Sequence, residues 1–237
     1  MENSKLSKND TSVLAALFDP ESSLSGVIHV NNHLPKSSDT RRVELLQERE
    51  RQALRLINQE APEPSHIEKA LSELTNIIND DSSYASAWNN RAQARRMLID
   101  DEKLKTNSKA VADILHDIAQ AVSLATTSKE IDAVSRLDAK VLASAHTHRG
   151  YLLLLASKSE TSRKMLDDVP SLRGLSRDEL EGTASRELAL GGRYGNETAR
   201  QLAVKTNPYA KLCGSIVREA LTKEISDFYQ RQPRIVR

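Results

Sequence analysis

Residues 67–96 read IEKALSELTNIINDDSSYASAWNNRAQARR, and the fold class follows from them. In the first half, Ile67, Ala70, Leu71, Leu74, Ile77 and Ile78 recur at steps of three and four, which sets them on one face of a helix. The polar run at 79–83 then breaks the chain into a turn. A second helix follows, over roughly 84–98, with Trp88 near its start and the small Ala92 four residues on. Two helices separated by a short polar turn make a hairpin that buries the face they share.

Outward from this hairpin the same period continues. Upstream, Val43, Leu46, Ala53, Leu54 and Ile57 share a broad face, and the prolines at 62 and 64 end that helix. Downstream, beyond the charged segment 100–109, Ile114, Leu115, Ile118, Ala121 and Val122 mark a fourth helix, and a fifth spans about 129–157. Residues 158–174 are polar and read as a loop. Ser176 and Glu179 form a capping box at the start of the sixth helix, with Leu175 and Leu180 placed to staple it, and Gly191-Gly192 read as its stop. A short helix near 198–205 precedes Asn207-Pro208, a cap and first-turn proline that open a last helix to about Tyr229. In that helix Leu212, Ile216, Val217, Ala220, Leu221 and Phe228 are expected to cover one face of the core. Residues 1–42 are polar, apart from a short helix near 12–18 carrying Val13, Leu14, Leu17 and Phe18 and stopped by Asp19-Pro20; 22–40 read as a loop or tether. No strand separates the helices, so the class is all-α.

Composition agrees. Aromatic residues are 3% of the chain, and glycine and proline are few, which disfavours a sheet with many turns. The formal net charge of +1 gives no general attraction to nucleic acid or to an anionic membrane. A single cysteine, Cys213, cannot form an internal disulfide and suits a reducing compartment. The N-terminal MENSKLSKNDTS lacks an apolar signal region, and the longest apolar run, 151–156, is far short of the roughly 20 residues that span a bilayer. A cytoplasmic, monomeric chain is expected.

A fixed period turns the helices into an architecture. The tetratricopeptide repeat runs about 34 residues and pairs two antiparallel helices. With Trp88 at its aromatic position, one period back falls on Leu54, and Ala70, Leu74 and Ile77 take the packing places of the second helix. Gly150 takes the small position of a third unit, with Ala184 and Leu188 on its second helix. The reading is an α-solenoid of three antiparallel helix pairs, at about 43–83, 84–127 and 128–206, plus a capping helix and basic tail over 207–237. Insertions at 100–109 and about 158–180 sit at the turns inside pairs, where extra length is expected to stay outside the core.

Three stretches resemble a particular family, the tetratricopeptide repeat protein 36 family and its fungal members. They are Ser12-Val-Leu-Ala-Ala-Leu-Phe-Asp-Pro20, the Ala85–Arg96 run that contains Trp88, and Ala199-Arg-Gln-Leu through Asn207-Pro-Tyr-Ala-Lys-Leu-Cys213. The resemblance implies a non-catalytic, cytosolic adaptor, co-chaperone-like, associated with heat-shock chaperones. The alternative is a scaffold that binds and protects a metabolic enzyme of tyrosine metabolism; an enzyme subunit is a third reading.

Clamp-type repeats grip an acidic chaperone tail through convergent cations and amides. Here Arg55 replaces the first lysine, Gln59 replaces an asparagine, Asn90 matches, Ser144 replaces the second lysine and His148 stands for the arginine. The set makes a poor clamp, with one certain cation where three are expected. Asn89, Gln93, Arg96 and Tyr151 fall on the face expected to line the concave groove and complete the candidate partner-binding set. Trp88 reads as core. His146 and His148, two apart, point away from each other, no zinc spacing occurs among the histidines, and Gly191–Gly195 lacks the spacing of a phosphate loop. No catalytic constellation, metal site or cofactor is expected. Asp167-Asp168 reads as an unsupported polar loop.

Overall fold

The computed structural model describes residues 30–31, 40–126 and 134–231, with side chains at 41–126, 134–207, 214 and 216–226. The helix expected near 12–18 lies outside the described residues. So do the side chains of Leu212, Cys213 and Phe228.

Helix follows helix. The first pair is α1 (Thr40–Ile57) and α2 (Pro64–Asp80). Its ion pairs run in opposite directions along the chain: Arg42 meets Asp81, and Arg49 meets Glu73 and Asp80, so the pair is antiparallel. Next come α3 (Ala85–Met97), the short α4 (Asp101–Leu104) and α5 (Ser108–Ala125). Arg91 bonds Asp117 while Arg95 bonds Asp113, again an antiparallel pair. After α6 (Arg136–Ser157) and the short α7 (Glu160–Arg163) comes α8 (Arg177–Arg193). Gly150 faces Leu188 and Ala184, whereas Gly191 faces Thr147 and Ala143. This third pair is antiparallel as well. Two further helices, α9 (Glu197–Thr206) and α10 (Pro208–Arg231), complete the all-α solenoid.

Sequence sets these boundaries through caps. Asn107, Ser135 and Asn196 each accept a backbone N–H of the following first turn, and Ser176 with Glu179 closes the expected capping box. The Ser135 cap starts α6 several residues later than the apolar period suggests. Just before it, strand β2 (Val134–Ser135) pairs in parallel with strand β1 (Val30–Asn31). This two-residue ladder, absent from the sequence reading, anchors part of the expected tether beside the start of α6.

Two main apolar clusters form the core. One joins α1 and α2 to Tyr84, Ala87 and Ala94; the other gathers α5, α6 and the early part of α8. Trp88 packs against both, as expected of a core residue, and its indole N–H donates to the Ser82 carbonyl at 2.9 Å.

Four expectations need correction. The inserted turns do enter the core: Leu104 on α4, and Met165 and Leu166 just after α7, are fully buried. Leu104 ties its insertion to α5, and Met165 and Leu166 tie theirs to α5 and α6, within one apolar cluster. Asp168 is held too, because Ser108 Oγ donates to it at 2.5 Å. Gly191 and Gly192 do not stop α8; they lie inside it, where a Cβ would come within 2.6 Å of Thr147 Oγ1 and 2.9 Å of Arg200 Cα. The close passage of α6 at Gly191 and of α9 at Gly192 requires them, and the left-handed turn falls at Gly195, with φ 103°. Finally, α10 runs where expected, but Ile216, Val217 and Leu221 do not cover the core; each is more than half exposed. The end of α8 is covered instead by α9, through Leu188, Ala199 and Ala203.

Candidate functional site: the inner face of α3 and α6

The first helices of successive pairs lie side by side, and α3 and α6 bring most candidate residues together. Gln93 on α3 donates to Ser144 Oγ on α6 at 2.8 Å. One turn further, Arg96 bonds Asp101 and the Ile99 carbonyl, and Tyr151 on α6 donates to the other Asp101 oxygen at 2.5 Å. The Arg96 guanidinium lies 6.0 Å from the Tyr151 ring centroid. The Asp101 bond raises the Tyr151 hydroxyl above its ordinary value, since ionisation would set two negative oxygens together. Asp101, inside a segment that reads as a charged insertion, is the organising anion of this face. Its role had no signal in the local sequence.

His148 lies in the same region with both ring nitrogens buried and without a hydrogen-bond partner. Burial, aided by the nearby Arg96 charge, lowers its pKa to about 4. The ring is therefore neutral at pH 7 and supplies no cation at the place where a clamp carries arginine. Asn89 is also buried, with its carbonyl oxygen unpartnered.

Asn90, the one clamp residue that matches, is already engaged. Its amide donates to Glu50 Oε1 at 2.7 Å, while the Tyr84 hydroxyl donates to Glu50 Oε2 at 2.7 Å. Glu50 is buried. Burial beside that carboxylate holds the Tyr84 hydroxyl well above its ordinary value, so it stays a donor. The carboxylate that Asn90 holds belongs to the chain itself. Arg55 and Gln59 are both exposed and make none of these contacts. The structure thus joins Gln93 to Ser144 and Arg96 to Tyr151 through Asp101, and assigns Asn90 to an internal anion.

Other polar clusters read as structural. A hollow of about 330 Å3 lined by Leu71, Ser72, Thr75, Asn76, Arg91 and Arg95 lies on the opposite side of α3. Its arginines are held by Asp113 and Asp117, and Arg91 also stacks 4.7 Å from the Trp88 ring. His146 pairs with the buried Glu187 at 2.8 Å and stacks on Tyr194, which fixes α6 against α8. Among the described residues no group of His, Cys, Asp or Glu could hold a metal ion, and no helix is long and apolar enough to cross a membrane.

Known proteins place the chain. No family profile matches it, and no solved structure does. An Aspergillus fumigatus protein named "L-tyrosine degradation gene cluster protein hmgX" is 39% identical over 93% of this chain and 93% of its own length. Tetratricopeptide repeat protein 36 of Danio rerio is 28% identical over 92% of this chain and 94% of its own, and that of Homo sapiens 25% over 90% and 93%. Full-length similarity to these relatives, carried by a helical solenoid with small residues at its helix crossings, means that the chain belongs to the tetratricopeptide repeat protein 36 family.

Proposed function

We propose that the chain is a non-catalytic cytoplasmic scaffold, with three repeats over 43–206, that binds and protects an enzyme of tyrosine breakdown. The inner face of α3 and α6, with Arg55 and Gln59 at its edge, is the proposed contact surface. The name of the fungal relative supports the metabolic setting. The observation that supports this reading over an adaptor gripping an acidic chaperone tail is the Glu50–Asn90 bond. An incoming carboxylate would have to displace a buried carboxylate from its own donor, and the neutral His148 would not attract it. A heat-shock chaperone, as the family resemblance implies, would need a different surface.

The test has two arms. Fluorescence-polarisation titration with an acidic chaperone-tail peptide is expected to show no binding at micromolar concentrations. Asn90→Ala is expected to lower stability by about 1.5–3 kcal/mol, since it strips a bond from a charged acceptor. Micromolar tail binding that Asn90→Ala abolishes would overturn the reading. In the second arm, affinity capture from cells fed tyrosine is expected to enrich an enzyme of its breakdown, and Gln93→Lys with Tyr151→Ala to reduce that enrichment. Robust turnover of a tyrosine-pathway metabolite by the purified chain would contradict the scaffold role.

A further inference from the structure

α10 is 24 residues long, about 36 Å at 1.5 Å per residue, and packs on α8 and α9 only sparingly. At 100° per residue, Ile216, Ala220, Val217, Leu221 and Ile225 occupy one half of its circumference. All five are exposed, and the four larger side chains are each between 54% and 57% exposed. A stripe of that kind on a helix this long calls for a partner.

The charges around the stripe identify which partner. The run 218–224 reads Arg-Glu-Ala-Leu-Thr-Lys-Glu, and its signs are antisymmetric about Leu221. Two copies laid antiparallel with a two-fold axis at Leu221 set Arg218 against Glu224 twice. Arg218 borders the apolar arc and Glu224 lies inside it, so the one carboxylate within the arc meets a cation across the seam, whereas Glu219 lies on the far side of the helix. Val217 then opposes Ile225, and Leu221 opposes itself. A parallel, in-register pair would set every charge against its own kind, which is unfavourable. No ion pair among the described residues engages Arg218, Glu219, Lys223 or Glu224 within the chain. We infer that α10 is a self-association helix, and that two copies of the chain pair through it in antiparallel fashion about Leu221. The interface is isologous, so it closes at the dimer. It replaces the monomer expected from sequence, and it leaves the α3–α6 face of each copy free, which makes the scaffold bivalent.

Sedimentation equilibrium of the full chain tests this. The wild type is expected to shift from monomer to dimer with rising concentration. Leu221→Glu, with its helical circular dichroism retained, is expected to weaken dimerisation at least tenfold. Arg218→Glu and Glu224→Arg are each expected to weaken the homodimer, and an equimolar mixture of the two to restore association, because each mixed pair then joins opposite charges. Within one helix Arg218 and Glu224 stand six apart, outside the three- and four-residue spacing at which side chains meet, so restoration singles out the intermolecular pair. A wild type that stays monomeric at all concentrations would overturn the inference, as would a dimer indifferent to Leu221→Glu or a mixture no tighter than either variant. A monomer in which deleting residues 1–29 leaves α10 newly open to protease would assign the stripe to that segment of the same chain, and so would also overturn it.

Discussion

At His148, burial and charge act together, and the result is visible in stability against pH. The folded ring holds its proton only below about pH 4, whereas in the unfolded chain it does so below about 6.5. Above pH 6.5 the ring is neutral in both states and its contribution is complete. As pH falls from 6.5 towards 4 the unfolded chain takes up a proton that the folded one refuses, so folding loses up to about 3 kcal/mol. His148→Leu removes that titration together with two unpartnered buried nitrogens. Urea midpoints of the two proteins are therefore expected to diverge in the variant's favour between pH 7 and pH 4.5. Parallel profiles would show that the ring is solvated. The repeat register was enough to place His148 and Ser144 on α6 beside α3. Glu50 was not legible, because its burial depends on Tyr84 and Asn90, 34 and 40 residues away, and no local pattern marks a carboxylate that distant donors satisfy.

Between elements, three glycines behave differently according to what crosses them. On Gly150 in α6, a Cβ would sit 2.7 Å from Leu188 Cγ and 3.2 Å from the Ala184 carbonyl oxygen. Alanine favours helix over glycine by about 1 kcal/mol, but overpacking of this kind costs about 1–3 kcal/mol. Gly150→Ala is thus expected to destabilise by about 1 kcal/mol. Gly182, inside α8, has nothing within 4 Å of the same position, so Gly182→Ala is expected to stabilise by up to about 1 kcal/mol. Thermal unfolding of the two variants against wild type reads both signs, and like signs would sink the packing account. Gly192 explains why the sequence misled at this scale: a glycine pair reads equally as a helix stop or as a crossing point, and only the approach of Arg200 decides. The capping box of α8 was legible because it is local chemistry over four residues. The buried inserts were not, since a single Leu104, or the pair Met165 and Leu166, gives no period to count.

Across the whole molecule, cohesion passes through few connections. A solenoid's stability is a sum of unit and neighbour terms, with no single centre that every part touches. Here the cluster under α1 and α2 and the larger one around α5 and α6 both lean on Trp88, which also holds the Ser82 carbonyl and stacks with Arg91. The 34-residue period made this position readable as core, because an aromatic at the start of a repeat faces the unit before and the helix behind. It gave no measure of how much coupling rests on it. Trp88→Ala removes that shared packing and is expected to cost about 3 kcal/mol. The loss should not spread evenly. Among the described residues no helical unit precedes α1 and α2, so their remaining support is their own cluster, the Glu50–Tyr84–Asn90 bonds and the Arg91–Thr75 bond. In hydrogen exchange, amides of α1 and α2 are expected to open well before those of α5, α6 and α8 in the variant, and denaturant unfolding to split into two steps. The wild type, with the indole in place, is expected to unfold in a single step over the same range. A variant that loses protection uniformly would place the coupling elsewhere, in the Gln93–Ser144 bond and the apolar contacts of α3 with α6.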